Sequence, residues 1–340
     1  MNILFTCAGR RNYLINYFKD ALQGQGKIVA VDTQLSAPAL VDADIAIKVP
    51  SIYEVGYLDA LKEIIMQNQI RAVISLNDLE LPLLSKHKSE LEALGAKIIV
   101  ADEEVISISF DKWRTFLFLR SNEIKAPQTY IDIEDALMKI EIGEMDFPVV
   151  LKPRWGSASI GIEFPENLRE LKLAYELLKL RMKRSILSEA SKGDVDHCIL
   201  IQEKITGDEF GMDILNDFEG NYFGTFVRKK LAMRAGETDK AVSIIDLKFE
   251  KIGKKIASSL GHIGNLDCDV FEHHNELYVL ELNPRFGGGY PFSHEAGMNT
   301  ASAYIEWLHG GKNVSQFNNY ISGLTFSKCD RLIPINTINN

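Results

Sequence analysis

Residues 278–289, YVLELNPRFGGG, place a carboxylate, Glu281, and an amide, Asn283, two positions apart in an otherwise apolar stretch. A proline, Arg285 and three glycines follow at once. Residues i and i+2 of a strand share a face, so Glu281 and Asn283 stand side by side. Val279, Leu280 and Leu282 flank the acid, which favours an inward carboxylate over a solvated one. Upstream, LDCDVFEHHNE supplies an incoming strand and a turn, which lets Asp269 face Glu281 and Asn283 across a hairpin. Two carboxylates and an amide oxygen are hard ligands, suited to Mg2+ or Mn2+ and poor for zinc. Mg2+ usually takes one or two carboxylates plus substrate phosphates, so this trio suits a metal-bound nucleotide.

Three further segments carry compatible chemistry. In FPVVLKPRWGSASIG an apolar run ends at Lys152 and is followed by a small-residue loop with Gly156, Ser157 and Gly161. Backbone N–H groups of such a loop can cradle phosphate, with the lysine as a point charge. By itself the segment also reads as a plain turn, because the G-x-x-x-x-G-K-[ST] spacing is missing. In LIQEKITGDEFGMDIL, a strand ending at Gln202, Glu203, Lys204 and Ile205 can offer backbone groups to a purine edge. Glu209 follows the turn at Gly207, where a carboxylate can accept from both ribose hydroxyls. In VRKKLAMRAGETDKA, Lys229, Lys230 and Arg234 form a basic cluster; a solvated charge run is the ordinary reading, and stabilisation of a transferring group the functional one.

These residues need rigid elements to hold them. The first hundred residues alternate short apolar strands (NILFTCA, KIVAVD, RAVISL, AKIIVA) with amphipathic helical stretches, the pattern of a parallel sheet covered on both faces. A boundary is expected between Ala101 and Ser109. A helix is expected over 111–122, and a long one over 165–189 with leucines at 168, 171, 177, 178 and 180. Beyond it the pattern changes to strands with polar turns, including hairpin signals at 218–221 and 273–276, so this part reads as an antiparallel sheet.

The ordered set Asp111-Lys112, Lys152 with its loop, QEKITGDE, Asp269, Glu281, Asn283 and Arg285 resembles the ATP-grasp superfamily over residues 105–310. It is most similar to the large-subunit type of carbamoyl-phosphate synthetase and the single-module carboxylate–amine ligases related to it. The resemblance implies ATP and Mg2+ (or Mn2+) as cofactors. Lys112 and Lys152 would meet the ATP phosphates, and the loop Gly156, Ser157 to Gly161 would cover them. Glu203 and the Ile205 backbone would hold adenine, and Glu209 the ribose. Asp269, Glu281 and Asn283 would bind two Mg2+ ions, and Arg285 the acceptor carboxylate or acyl phosphate. Lys230 and Arg234 would join Arg285 as catalytic cations. The implied fold class is mixed α/β and α+β, a Rossmann-like parallel-sheet domain followed by a two-lobed ATP-grasp fold. Expected boundaries are 1–107 for the first domain, 108–200 for the small lobe with the phosphate loop, 201–311 for the large lobe with the metal site, and 312–340 for a tail.

The implied activity is ATP-dependent ligation of a small-molecule carboxylate to an amine through an acyl phosphate. The alternatives are a non-catalytic ATP-binding module and a phosphotransferase of the same fold. One module rather than two is present, so carbamoyl phosphate is not the expected product. A homodimer through the N-terminal domain is expected from relatives. Several other features bound the reading. A net charge of −9 opposes general binding to nucleic acid or anionic membrane. Four scattered cysteines, with no C-x-x-C pair, indicate neither a disulfide framework nor a zinc site. No apolar run reaches membrane-spanning length and the N-terminus reads as a strand, so a cytoplasmic location is expected. Cys7-Ala8-Gly9 and Asp32 imitate a dinucleotide site, but Arg10 and Arg11 occupy the tight-turn positions that G-x-G-x-x-G requires. Those arginines, and Asn77, Asp78 and Glu80 on the same rim, are candidates to face the acceptor. His294 and Glu295 are weaker ones, and His273-His274 falls in the expected hairpin turn.

Overall fold

The computed structural model describes residues 1–156 and 160–334. It contains fourteen strands: β1 (Asn2–Thr6), β2 (Ile28–Asp32), β3 (Ile45–Lys48), β4 (Ile70–Ser75), β5 (Lys97–Ile98), β6 (Thr129–Tyr130), β7 (Val149–Pro153), β8 (Ile199–Glu203), β9 (Asp208–Asn216), β10 (Tyr222–Arg234), β11 (Glu237–Ile244), β12 (Gly264–His273), β13 (Glu276–Asn283) and β14 (Thr325–Ser327). The chain divides into two compact units that interleave in sequence. The first comprises Met1–Ile106, Gly211–Asp267 and Asn283–Asn340; the second comprises Ser107–Phe210 and Cys268–Leu282. The contacts therefore do not follow four consecutive segments, because the hairpin of β12 and β13 sends its turn end into the second unit.

In the first unit β1 to β5 form a parallel sheet in the order β3-β2-β1-β4-β5. The order reverses direction at β1, so the carboxyl ends of β1 and β4 frame a switch point, where open parallel sheets bind ligands. The helix Asn12–Leu22 buries Leu14, Ile15, Phe18 and Leu22, the 3–4 spacing of one helix face. Phe18 lies edge-on to Phe5 (5.1 Å), Tyr304 (5.9 Å) and Phe286 (6.0 Å), so one core joins the N-terminal sheet to the later segments of this unit. β9 to β14 build a sheet ordered β13-β12-β9-β10-β11-β14, antiparallel where β10, β11 and β14 pair.

The second unit holds the antiparallel sheet β6-β8-β7. The expected long helix is two: Leu168–Met182 and Leu187–Ala190. Leu171 and Leu178 are buried with Tyr175 and Met182, whereas Leu177 and Leu180 are 46% and 51% exposed. The leucine run overstated the buried face, since residues 171, 175, 178 and 182 share one helix side and 177 and 180 lie off it. No described helix is long and apolar enough to cross a membrane.

At the switch point two sequence readings change. Asp32 accepts a hydrogen bond from the Gly9 amide (2.9 Å), so its carboxylate braces the β1 turn. Glu80 does not face an acceptor. It is fully buried and accepts from Thr6 Oγ1 (2.6 Å), Ser75 Oγ (2.6 Å) and Tyr57 OH (2.5 Å), tying β1 to β4. Burial raises its pKa, and the three hydroxyls only partly offset this. A raised folded-state pKa means the unfolded chain gives up this proton first, so the stability Glu80 contributes is greatest at low pH and declines as pH rises above the ordinary carboxylate range. Thermal melts between pH 4.5 and 8 should therefore show a steeper loss in the wild type than in Glu80→Gln; parallel curves would contradict the assignment.

Candidate active site

The second unit contains a pocket of about 250 Å³ into which Lys112, Lys152, Gly156, Glu203, Ile205, Glu209, Asp269 and Glu281 all project. Sequence positions more than 160 residues apart thus meet in one cavity. Ser157 lies outside the described residues. Phe271, Leu280, Ile162 and Phe164 supply apolar walls that the sequence reading passed over, although Phe271 follows Asp269 by two in β12 and shares its face.

Lys152 is 6% exposed in β7. Its ammonium donates to Gln202 Oε1 (2.9 Å), Gln202 Nε2 donates to Thr129 Oγ1 (2.7 Å), and that hydroxyl donates to the Pro127 carbonyl (2.9 Å). The relay crosses all three strands of the sheet, using the pairing of Gln202 with Val150 on one side and Thr129 on the other. Burial, helped by the charge of Lys112 and opposed by Glu281, pushes the Lys152 pKa down to about 8. It stays mostly protonated at neutral pH, as a desolvated cation held by a neutral amide.

Lys112 opens the helix Lys112–Ser121. Asp111 caps that helix, accepting from the Trp113 amide (3.0 Å) and the Arg114 amide (3.3 Å). The same carboxylate takes a two-point grip from Arg154, Nε to Oδ1 at 2.8 Å and Nη2 to Oδ2 at 2.7 Å. The Lys112 amide donates to the Arg154 carbonyl (3.1 Å), and Arg154 also reaches Asp194 (2.9 Å). One buried acid therefore fixes the helix that starts with Lys112 against the end of the strand that carries Lys152. The Lys112 ammonium donates to the Gly156 carbonyl and lies 3.8 Å from Glu281 Oε2. Asp269 and Glu281 face the same cavity, two hard carboxylates that fit a magnesium ion carried in with phosphates. Among the described residues no group of three or more His, Cys, Asp or Glu forms a metal cage of its own. His274 and Asn275, both with positive φ, make the two-residue turn between β12 and β13, and His273 is bonded to the Thr206 carbonyl (2.5 Å).

Asn283 and Arg285 belong to the first unit; Asn283 does not line the pocket of the second, and Arg285 sits in a dense charged cluster. Arg285 pairs with Asp78 (2.7 Å) and Asp267 (3.2 Å). Arg228, 1% exposed, pairs with Asp213 (2.6 Å) and Asp267 (2.7 Å). Asp213 also accepts from Ser293 Oγ (2.6 Å) and Asn265 Nδ2 (3.0 Å). Burial raises the pKa of Asp213; for Asp267, Arg228, Arg285 and Lys230 together outweigh burial and lower it. Glu237 holds Arg11 (2.7 Å) and Lys328 (3.2 Å).

The three glycines of YVLELNPRFGGG make room for this cluster. A Cβ on Gly287 would sit 2.1–2.3 Å from the Asp267 carboxylate, on Gly288 2.9–3.1 Å from that of Glu237, and on Gly289 2.1–2.4 Å from the Arg228 guanidinium. Arg228, Asp213, Asp267 and Glu237 were not singled out from sequence, although Arg228 adjoins Lys229 and Asp267 precedes Asp269 by two. Arg234 is not gathered into the cluster: it is 51% exposed near the β10–β11 turn and bound by Asp239 (3.0 Å) and Asp330 (2.7 Å). His294 stacks on Tyr17 (3.5 Å between ring centres), and burial lowers its pKa to about 4, so it is a neutral packing group. Gly289→Ala should cost about 3 kcal/mol by breaking the Arg228 pairs, in line with the loss of a buried ion pair. Gly193→Ala, where an added methyl meets nothing within 4 Å, is the control, and equal denaturation midpoints for the two variants would contradict the packing argument.

Two family models match the chain: the PylC-like N-terminal domain over residues 3–99 and the ATP-grasp domain over residues 109–289. The carbamoyl phosphate synthase large chain of Helicobacter pylori is 24% identical over 258 residues, which is 72% of this chain and 22% of that one. The chain thus spans about a fifth of the length of that curated relative. The biotin carboxylase domain dimer of Hydrogenobacter thermophilus 2-oxoglutarate carboxylase, solved with MgADP, ADP and bicarbonate, superposes with a TM-score of 0.72 at 18% identity, covering 92% of this chain and 70% of that one. L-amino acid ligase from Bacillus licheniformis gives 0.70 at 18% identity, covering 95% and 79%. At such identities the structural likeness establishes the fold, and the family model, which spans more than half of the chain, establishes membership. The chain belongs to the ATP-grasp family.

Proposed function

We propose that the protein is an ATP-dependent carboxylate–amine ligase. The observation that carries this reading is the convergence of Lys112, Lys152, Asp269 and Glu281 on one apolar-walled pocket in an ATP-grasp chain. In this reading Lys112 and Lys152 meet the ATP phosphates. Glu203 and the Ile205 backbone hold the base, and Glu209 the ribose. Asp269 and Glu281 hold Mg2+. The ion supplies charge neutralisation at the phosphates when bound. The MgADP of the biotin carboxylase neighbour supports a metal–nucleotide here.

Arg285 is assigned to the acceptor carboxylate or the acyl phosphate, and Lys230 adds positive charge to the cluster around Asp267. Arg234 is assigned no contact here: it is half exposed near the β10–β11 turn, beside Asp239 and Asp330. A substrate carboxylate oxygen attacks the γ-phosphorus, ADP leaves, and an acyl phosphate forms. An amine nitrogen then attacks the acyl carbon, phosphate departs and the nitrogen loses a proton, giving the amide. Such transfers need alignment and charge neutralisation more than covalent help from side chains. The substrates are expected to be small molecules, as for the amino acid ligase neighbour.

With Mg·ATP and a panel of carboxylates, amines and their pairs, ADP and phosphate should be released only with a matched pair. Glu281→Gln should lower that turnover at least about 100-fold with an unchanged melting temperature. Release with a single compound would make the protein a phosphotransferase, and wild-type turnover in Glu281→Gln would remove the metal assignment.

A further inference from the structure

Lys112 stands between two acceptors. Its ammonium lies 3.8 Å from Glu281 Oε2 and donates to the Gly156 carbonyl. The side chain is 13% exposed and that of Glu281 30%, so the pair is screened only in part. Its backbone has little freedom to withdraw. Lys112 starts a helix capped by Asp111, and Asp111 is gripped by Arg154, which in turn is bonded to the Lys112 amide. The ammonium must therefore redistribute by side-chain rotation alone, among Glu281, the Gly156 carbonyl and whatever anion enters the pocket. Lys152 is differently placed: its ammonium donates to the neutral Gln202 amide, and that amide is anchored to Thr129.

We propose that Lys112 competes with the divalent cation for Glu281, so that metal enters this pocket together with nucleotide and not before it. A cation beside a carboxylate lowers the affinity of that carboxylate for a second cation, because like charges repel. Phosphates arriving in the pocket offer the ammonium a stronger partner, and its move away from Glu281 opens the carboxylate to the metal that the phosphates carry. The lysine thereby couples the two binding events: each makes the other more favourable, and by linkage the coupling is the same in both directions. The proposal rests on the nucleotide reading of the pocket and adds an order of binding to it.

The coupling makes an expectation of opposite sign for two ligands of one variant. Lys112→Met should bind Mn2+ alone more tightly than the wild type, by about tenfold, and should bind ATP more weakly, also by about tenfold. Mn2+ is the probe for the metal, read by the paramagnetic signal of the free ion without any turnover, and ATP binding is read by calorimetry. Lys112→Arg, which keeps the charge, should return the Mn2+ affinity towards wild type. The double variant Lys112→Met with Glu281→Gln should lose the gain, which assigns it to that carboxylate. A misfolded Lys112→Met would lose both ligands, which circular dichroism and the melting temperature detect; Lys112→Gln then repeats the measurement. Unchanged or weaker Mn2+ binding in a folded Lys112→Met protein overturns the proposal. Failure of the wild type to bind ATP at all would overturn the nucleotide reading instead, and the Mn2+ titration separates the two because it needs no nucleotide.

Discussion

A lysine that is 6% exposed has lost most of its water, and everything around Lys152 answers to that. Desolvation of an ammonium is costly unless polar groups replace the water, and a second lysine in the same pocket adds repulsion. The fold meets the cost with a neutral amide, Gln202, whose own N–H side is tied to Thr129 so that its oxygen must point at the lysine. It also sets Glu281 near both lysines, as an ion-pair partner of Lys112 and as a favourable charge for Lys152. Such an arrangement leaves cationic charge that an entering phosphate would satisfy, which is why a buried lysine here argues for a ligand more than for stability.

The same economy of charge governs the first unit on a larger scale. Arg228 is buried between Asp213 and Asp267, and Arg285 bridges Asp267 to Asp78. The two acids around Arg228 shift in opposite directions, Asp213 towards the protonated form and Asp267 towards the ionised one, as expected when carboxylates share cations away from water. Three consecutive glycines are the steric condition for this cluster, since each lies where a methyl group would collide with a charged side chain. The glycine run in NPRFGGG therefore reflects packing of charges against backbone.

What could be read from sequence follows the range of the interactions. Alternation of apolar strands and helices, the two-residue turn at His274-Asn275 and the types of the pocket residues are local or periodic properties, and each is visible in a short window. Pairings across long separations are not. Asp111 and Arg154 are 43 residues apart, and Arg228 and Asp267 are 39 apart, and neither pair has a spacing that marks it. Arg234 lies in a basic run that suggested a cluster, and its partner Asp330 is 96 residues away. Glu80 is similar, an acid at the right rim that turns inward because Thr6, Ser75 and Tyr57 are waiting there. Residue type was legible; the direction of each side chain depended on partners from elsewhere in the chain.

The central claim is that a carboxylate oxygen becomes bonded to the γ-phosphorus before the amine attacks, and oxygen isotope transfer tests the phosphorylation most directly. Once a productive substrate pair is in hand, the carboxylate is labelled with 18O and the released phosphate is analysed by mass spectrometry. An acyl-phosphate route predicts one labelled oxygen in each phosphate formed and one fewer in the amide product. Phosphate that carries no label, with the label retained in the substrate, would contradict the account, because ATP would then be cleaved by water and the carboxylate would never have been activated.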